Sequence, residues 1–161
     1  MDIILDASPL IAFYVELKAP EKITALKRVG NNLLIPHAVL YRELIGEASD
    51  AIKRDLRFFI VLEPVKVEDL KIRFPGLHEG ELEVVKWGCI MKEQKKEYMC
   101  ILDDKNARKA ASKLGLNYRG TIGLLHLMND SGLISGEEMR ELCLKLVKRG
   151  FYFPEELCYK S

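Results

Sequence analysis

Aspartates directly follow short apolar runs at two places in this sequence, and they are the residues best placed to carry out chemistry. Asp6 follows the run Ile3–Leu5, and Asp103 and Asp104 follow the run Tyr98–Leu102. Ligands of open α/β sheets bind beyond the carboxyl ends of the strands, so acids at such ends stand where a reaction is expected. Carboxylates that meet there repel one another unless a cation lies between them. The pattern therefore predicts an acidic, cation-binding site.

Glutamates on two predicted helices are candidates for the same site. Glu43 lies three and four residues after aliphatic side chains, so it shares a helix face that should point toward the core, where a carboxylate needs a partner. The alternatives for Glu43 are a salt bridge near Arg42 and exposure at a frayed helix edge. Glu81 opens the longest helical pattern together with Glu79 and Glu83, where three acids could simply complement the helix dipole.

Several of these positions also suit helix capping and packing. Asp103 or Asp104 could cap the helix that follows, and Thr121 is predicted to be the N-cap of the apolar helix Ile122–Met128. His126 lies within that helix, and a lone histidine on an apolar helix is more often a packing residue than a catalyst. Capping and catalysis by the aspartates are compatible.

The available ligands favour a hard cation. The sequence offers carboxylates but no histidine or cysteine at ligand spacing, which favours Mg²⁺ or Mn²⁺ over zinc or copper. Divalent ions held by carboxylates can activate water and stabilise the leaving oxygen when a phosphodiester bond is cleaved. This chemistry points to a nuclease.

Alternating strands and helices must position these acids. Because parallel strands need crossover helices, the alternation predicts an α/β domain with a mainly parallel central sheet. Right-handed crossovers place all carboxyl ends of such strands at one edge. The predicted strands are Asp2–Asp6, Leu33–Ile35, Phe58–Leu62, Tyr98–Leu102 and the short edge strand or turn Leu116–Tyr118.

A second helix is predicted to follow Pro20. Pro20 is expected to end the helix before it, and Glu21–Val29 is expected to form an amphipathic helix. Its spacing places Ile23, Leu26 and Val29 inward.

Length and composition indicate an ordinary globular domain. The 161 residues suit a single domain, with a core over about 2–133 and a C-terminal helix and tail over 135–161. The aromatic tail at 151–154 could pack against the domain or against a second subunit. A formal charge of +1 gives no support for bulk attraction to nucleic acid or membrane, so such binding would need a local patch.

The cysteines and the apolar runs suggest a cytoplasmic protein. No C-x-x-C pair is present, so the four cysteines are expected to be buried free thiols in a reducing cytosol. No apolar run approaches the roughly 20 residues of a membrane span, and no signal peptide is recognisable. The cysteines are Cys89, Cys100, Cys143 and Cys158.

The order and spacing of these motifs resemble a PIN domain over about Asp2–Leu133. More narrowly, they resemble a prokaryotic PIN-like branch with a G-E-x-E motif at the third acid and a poorly defined role. The resemblance rests on Asp6-Ala7-Ser8, Glu43, Gly80-Glu81-Leu82-Glu83, Leu102-Asp103-Asp104-Lys105-Asn106-Ala107-Arg108 and Gly120-Thr121-Ile122-Gly123-Leu124-Leu125.

The resemblance implies a metal-dependent ribonuclease on a three-layer α/β/α sandwich, often homodimeric and related to the VapC toxins of toxin–antitoxin pairs. It assigns an acidic tetrad that binds Mg²⁺ or Mn²⁺, with Asp103 as an additional metal ligand. It also assigns supporting residues and weak RNA contacts. The alternative for the RNA-contact residues is that they are solvated surface charges. The tetrad is Asp6, Glu43, Glu81 and Asp104; the supporting residues are Ser8, which would orient the first acid or a water molecule, and Thr121; the RNA contacts are Lys105, Arg108 and Arg119.

Two departures from the commonest PIN pattern leave other functions open. The third acid is Glu81 rather than aspartate, and Leu102-Asp103 replaces the usual Thr-x before the fourth acid. One alternative is a PIN fold that binds RNA or a protein without cutting. A phosphatase or receiver domain is disfavoured because no D-x-D motif follows the first strand.

Overall fold

A five-stranded sheet with all strands parallel forms the centre of the protein. The computed structural model describes residues 1–151 and 155–159. The strands lie in the order β3-β2-β1-β4-β5. They are β1 Asp2–Leu5, β2 Asn32–Ile35, β3 Ile60–Val61, β4 Tyr98–Ile101 and β5 Tyr118–Arg119.

The central strand shows why helices cover both faces of the sheet. Ile3, Ile4 and Leu5 are all fully buried. Because successive side chains of a strand point to opposite faces, both faces must be covered. The predicted α/β/α sandwich with a parallel sheet is therefore confirmed.

The helices alternate with the strands. They are α1 Ala7–Ile11, α2 Pro20–Thr24, α3 Gly46–Arg54, α4 Glu68–Arg73, α5 Glu79–Glu93, α6 Lys105–Lys113, α7 Thr121–Asp130 and α8 Gly136–Lys148. Shorter segments have other pitches: π-helical Ala12–Glu16 and Val39–Glu43, and 3₁₀-helical Ala25–Val29, Leu56–Phe58 and Glu155–Tyr159. Within the described residues, no helix has the length and apolar character needed to cross a membrane.

The second helix departs from its predicted form. Pro20 begins α2 instead of ending the preceding helix, because its fixed φ suits a first helical turn. Ile23 and Leu26 are buried as predicted, but Val29 is 44% exposed. Val29 is the last residue of the 3₁₀ segment, directly before the left-handed Gly30 that ends it.

β3 and β5 start later than predicted because turns use the first predicted residues. The Leu116 N–H still donates to the Ala111 carbonyl at the end of α6, so β5 starts at Tyr118 rather than at Leu116. The Phe58 N–H likewise closes a turn onto Asp55, and β3 starts only at Ile60.

Cys143 on α8 and Cys158 form a disulfide, with their Cα atoms 5.4 Å apart. The prediction of four free thiols is wrong for this pair and confirmed for Cys89 and Cys100. The chain turns back after α8, so residues 155–159 lie against that helix, a tertiary contact that cysteine spacing does not reveal. The predicted packing of the aromatic tail falls largely on residues 152–154, which lie outside the described residues.

Candidate active site

The strand order reverses between β1 and β4, which makes their carboxyl ends a topological switch point. The last residues of these neighbouring strands, Leu5 and Ile101, pair directly. Asp6 follows β1 at once, and Asp103 and Asp104 follow β4 after one further residue. Ligands of doubly wound sheets bind in the crevice at such a point. The predicted acids from the two strands therefore leave the sheet at the same crevice.

Asp6 is a buried carboxyl group at this crevice. Its residue is only 6% exposed, and no ion pair among the described residues includes it. Burial raises the pKa of Asp6, a hydrogen bond from the Ala7 N–H opposes this rise, and the negative charges of Glu81, Glu43 and Asp103 add to it. Together these effects give a pKa of about 7. These four carboxyl groups therefore lie within electrostatic reach of one another.

Glu43 and Glu83 satisfy the first turns of each other's helices. The Gly80 N–H in α5 donates to Glu43 Oε1 over 3.1 Å, and the Ala38 N–H donates to Glu83 Oε1 over 2.8 Å. First-turn N–H groups have no partner within their own helix, so each glutamate fills a need of the other segment. Glu43 forms no salt bridge within the described part of the chain. The role of Glu83 was missed by sequence reasoning, since nothing in its spacing points to Ala38.

Gly80 allows Glu43 to approach α5 closely. A Cβ atom at position 80 would lie 2.7 Å from Glu43 Cγ and 3.1 Å from Val39 Cγ2. The first distance is shorter than carbon atoms tolerate, so a side chain at position 80 would displace Glu43. The glycine before Glu81 in the sequence motif thus has a packing role.

Glu81 combines helix capping with membership of the acidic group. The His78 N–H donates to Glu81 Oε1 over 2.9 Å at the start of α5. Burial raises the pKa of Glu81, and the charges of Asp104 and Glu43 act in the same direction, while the bond from His78 lowers it. Glu81 therefore both accepts a hydrogen bond at the start of α5 and lies close to other acids.

Asp103 is held by the start of α7. The Thr121 N–H donates to Asp103 Oδ1 over 2.7 Å, and the Thr121 hydroxyl donates to Asp103 Oδ2. The prediction of Thr121 as N-cap is wrong, because Gly120 occupies that position and the strand-end carboxylate receives the free helix N–H instead. A Cβ at Gly120 would lie 2.7 Å from Asp103 Oδ1, so this position leaves room for the carboxylate.

Asp104 is the N-cap of α6, which is one of the two capping assignments that the sequence allows. Its Oδ2 accepts hydrogen bonds from the Asn106 and Ala107 N–H groups over 2.9 and 3.0 Å. The side chain is exposed, and its Oδ1 takes no part in these bonds. The two aspartates therefore differ in role. Asp103 is anchored by Thr121, and its charge raises the pKa of Asp6. Asp104 caps α6, and its charge raises the pKa of Glu81.

Ser8 lies beside both strand-end aspartates. It lines a cavity of about 350 Å³ together with Asp103, Asp104, Arg149 and residues 150–151. The Ser8 hydroxyl makes no hydrogen bond to another described side chain. Arg149 comes from the end of α8, and sequence reasoning missed it because only the folded chain returns it to this crevice.

The predicted basic contacts form the rim next to Asp103. Lys105 and Arg108 project from α6, and Arg119 ends β5. Arg108 and Arg119 share a cavity of about 280 Å³ with Asp103, and Lys105 and Arg108 share one of about 470 Å³. None of these three side chains forms an ion pair with a described residue.

The donor chemistry of the acids fits a hard cation, although no three of them converge in this structure. Carboxylate oxygens are the ligands that Mg²⁺ and Mn²⁺ prefer. Across residues 1–151 and 155–159, no group of three Asp, Glu, His or Cys side chains is arranged to hold one ion. Glu43, Glu81, Asp103 and Asp104 each accept hydrogen bonds from chain N–H groups. Asp103 uses both of its carboxylate oxygens in these bonds to Thr121, whereas Glu43, Glu81 and Asp104 each use one.

Comparison with known protein families supports the resemblance that the motifs indicate. A family model described as a PIN domain matches residues 2–161, which include the last helix and the tail. No curated protein matches the chain. The PIN domain is a nuclease-type fold. With the acids at the switch point of a parallel α/β/α sandwich and a match over nearly its whole length, the chain belongs to the PIN-domain family.

Proposed function

We propose that this PIN-domain protein is a metal-dependent endoribonuclease that hydrolyses phosphodiester bonds of RNA at the crevice between β1 and β4. The observation that carries the proposal is the buried carboxyl group of Asp6, which has no cationic partner among the described residues and lies at the switch point with other acids. A cation relieves the repulsion within such a group. RNA phosphates supply both the substrate and further oxygen ligands.

The residues that would hold Mg²⁺ or Mn²⁺ are Asp6, Glu43, Glu81 and Asp104, with Asp103 beside them. When bound, the ion supplies activation of the attacking water and neutralises charge on the leaving oxygen. Asp104 is suited to a ligand role because its Oδ1 is not used in capping α6.

Other side chains position these acids and the substrate. Thr121 fixes the orientation of Asp103 through two hydrogen bonds. Ser8 lines the same cavity as both aspartates and is placed to orient a water molecule or the first acid. Arg108 and Arg119 are proposed to hold RNA phosphates beside the acids, which would otherwise repel the substrate.

The resemblance to the VapC toxins supports a cellular role for this activity. We propose a cytoplasmic homodimer of a single domain over 1–161 that acts as the toxin of a toxin–antitoxin pair and is held inactive by an antitoxin protein. Induced expression in a bacterial host should arrest growth, whereas the Asp6→Asn variant should not. Equal growth with the two proteins at matched expression would contradict the toxin role.

RNA cleavage is the test of the enzymatic proposal. Purified protein is incubated with single-stranded RNA and Mn²⁺, and the products are separated by gel electrophoresis. The wild type should cleave, and Asp6→Asn and Asp104→Asn should lose at least about a hundredfold in rate, as expected when electrostatic stabilisation is removed. No cleavage by the wild type, or equal cleavage by Asp6→Asn, would overturn the proposal.

A second candidate function is a PIN fold that binds RNA or a protein without cutting. The observation that favours it is that Glu43, Glu81 and Asp103 all accept hydrogen bonds from helix-start N–H groups, which gives each a structural role. RNA binding by the wild type with neither Mn²⁺ binding nor cleavage would favour this candidate. Mn²⁺ binding that depends on Asp6 and Asp104 would exclude it.

A further inference from the structure

Arg108 and Tyr118 form a partly exposed pair on the rim of the acidic crevice. The guanidinium carbon of Arg108 lies 5.5 Å from the centroid of the Tyr118 ring, within the range of a cation–π contact. Arg108 is exposed and Tyr118 is half-buried on the edge strand β5. The pair lines two cavities, of about 280 and 470 Å³, and both cavities also include Asp103. An open groove therefore runs past the pair to the proposed active site.

The smaller cavity combines cationic and apolar walls. Arg119 and His126 line it together with the apolar side chains of Ile122 and Leu157. The Arg119 guanidinium donates to the Gly123 carbonyl over 3.5 Å, which ties it across the first turn of α7. Sequence reasoning favoured a packing role for His126, but the side chain is half-buried and lines this cavity. A nucleotide needs both kinds of wall, since its base is flat and largely apolar and its phosphate is anionic.

Charge makes a cationic groove necessary for an RNA substrate. Five acids border the crevice and repel phosphates, while the whole chain carries only +1. Binding must therefore depend on local cations. Within the described residues, Arg108 and Arg119 form no ion pair that would neutralise them.

We propose that this groove is a nucleotide subsite for single-stranded RNA, in which a base stacks on Tyr118 and the adjoining phosphate is held by Arg108, Arg119 and His126. The inference rests on the proposed ribonuclease function and assigns the part of the substrate next to the cleaved bond. The Tyr118 ring supplies a stacking surface without base preference, because every base has a π face. The subsite therefore contributes affinity and register and little sequence selectivity.

The test is binding of a fluorescein-labelled single-stranded RNA, measured by fluorescence anisotropy in EDTA so that no cleavage occurs. Arg108→Glu and Tyr118→Ala should each weaken binding by roughly tenfold, and Tyr118→Phe should bind like the wild type because it keeps the ring. Arg28→Glu is the matched control. Arg28 is exposed and precedes β2, so it lies at the amino-end edge of the sheet, away from the crevice. Arg28→Glu changes the net charge by the same amount as Arg108→Glu.

Each outcome decides the proposal. Binding by Arg108→Glu equal to that of Arg28→Glu would overturn the subsite, and equal weakening by Tyr118→Phe and Tyr118→Ala would overturn the stacking role. If Tyr118→Ala is unfolded by circular dichroism, Tyr118→Leu, which keeps an apolar side chain but removes the ring, takes its place in the comparison with Tyr118→Phe. Failure of the proposed function is a separate result, because it appears as missing cleavage with Mn²⁺ while binding in EDTA remains intact.

Discussion

Asp6 combines burial with neighbouring negative charge, and the metal-free protein should lose stability when this residue ionises. Its pKa is raised from 3.8 to about 7 in the folded protein. A carboxyl group with a raised folded pKa contributes stability that is fully present below the unfolded pKa and is lost as pH rises through the folded value. The ionised form of Asp6 is thus the strained one.

We predict that the melting temperature of the protein in EDTA falls between about pH 4 and pH 7 through this group. The Asp6→Asn variant cannot ionise there and should show a smaller fall. Differential scanning calorimetry of both proteins across this range measures the difference. An identical pH dependence would show that Asp6 is not held neutral by its surroundings.

Gly80 is a single position on which the placement of Glu43 depends. Gly80→Ala should lower the free energy of unfolding by about 1–3 kcal/mol and reduce cleavage, because the new methyl group overlaps Glu43 Cγ. Gly136→Ala is the control, since a Cβ there meets only Arg140 Nη1, at 4.0 Å. Helical Gly→Ala changes without a clash are neutral or stabilising. Equal stability of the two variants in urea unfolding would contradict the packing role of Gly80.

At the residue scale, the sequence predicts the strand-end acids but not the partners that orient them. Asp6, Asp103 and Asp104 follow apolar runs, which is a local signal that strand ends leave in any sequence. The bond from Thr121 to Asp103 joins residues 18 positions apart, and the bond from Ala38 to Glu83 joins residues 45 apart. No local pattern encodes such pairs, and this is why Thr121 was assigned to its own helix.

The π-helical segment Val39–Glu43 and α5 form the elements that support the second and third acids. Each carries a glutamate that satisfies an N–H group at the start of the other. This exchange fixes the two segments relative to each other. Loss of either glutamate should therefore disturb the opposite segment as well as its own.

Glu83→Leu tests this coupling. The change leaves the buried Ala38 N–H without an acceptor and should lower the free energy of unfolding by about 1–3 kcal/mol, as for other unsatisfied buried donors. Glu83→Gln keeps a carbonyl oxygen at the same place and should be much less destabilised. Urea unfolding of both variants gives the comparison. Equal destabilisation would mean that the lost charge, rather than the lost acceptor, is responsible.

Element types were better predicted than element ends. β1 and β4 are recognisable because each contains an unbroken run of apolar residues, Ile3–Leu5 and Tyr98–Ile101, as expected of strands covered on both faces. The shifts at β5 and β3 arise because Leu116 and Phe58 stay in turns. A residue at the end of a strand belongs to a turn or to the sheet according to the carbonyl that accepts a hydrogen bond from its N–H. The sequence does not show which carbonyl this is.

The disulfide between Cys143 and Cys158 joins the last described segment to α8, and it affects the whole molecule. It closes a loop with a sequence separation of 15, for which restricting the unfolded chain contributes about 3 kcal/mol. Two residues within this loop, Phe151 and Leu157, line cavities beside Asp103. The disulfide therefore also tethers a wall of the candidate site.

Reduction should destabilise the protein through this bond alone. We predict a lower melting temperature in the presence of a thiol reductant, with Cys158→Ser showing the reduced value under both conditions. Cys89→Ser, at a free thiol, should keep the response of the wild type. A wild-type melting temperature that does not change on reduction would contradict the pairing.

The alternation of strands and helices in the sequence predicts the α/β architecture of the whole molecule. It does not predict the order of the strands in the sheet. Alternating strands and helices predict a parallel sheet, but only the order β3-β2-β1-β4-β5 reveals that Asp6 and Asp103 border the switch point. The return of Arg149 and Cys158 after α8 depends on tertiary packing in the same way. The sequence thus predicts that the acids lie at one edge of the sheet, and the strand order shows that Asp6 and Asp103 lie at one crevice on that edge.

The central claim is that the carboxylates at this crevice form one divalent-metal site, and isothermal titration calorimetry with Mn²⁺ tests it most directly. The wild type should bind Mn²⁺, and Asp6→Asn and Asp104→Asn should lose this binding. Asp130→Asn, at the exposed end of α7, should retain it. The absence of binding at millimolar Mn²⁺, or equal binding by wild type and Asp6→Asn, would contradict the claim.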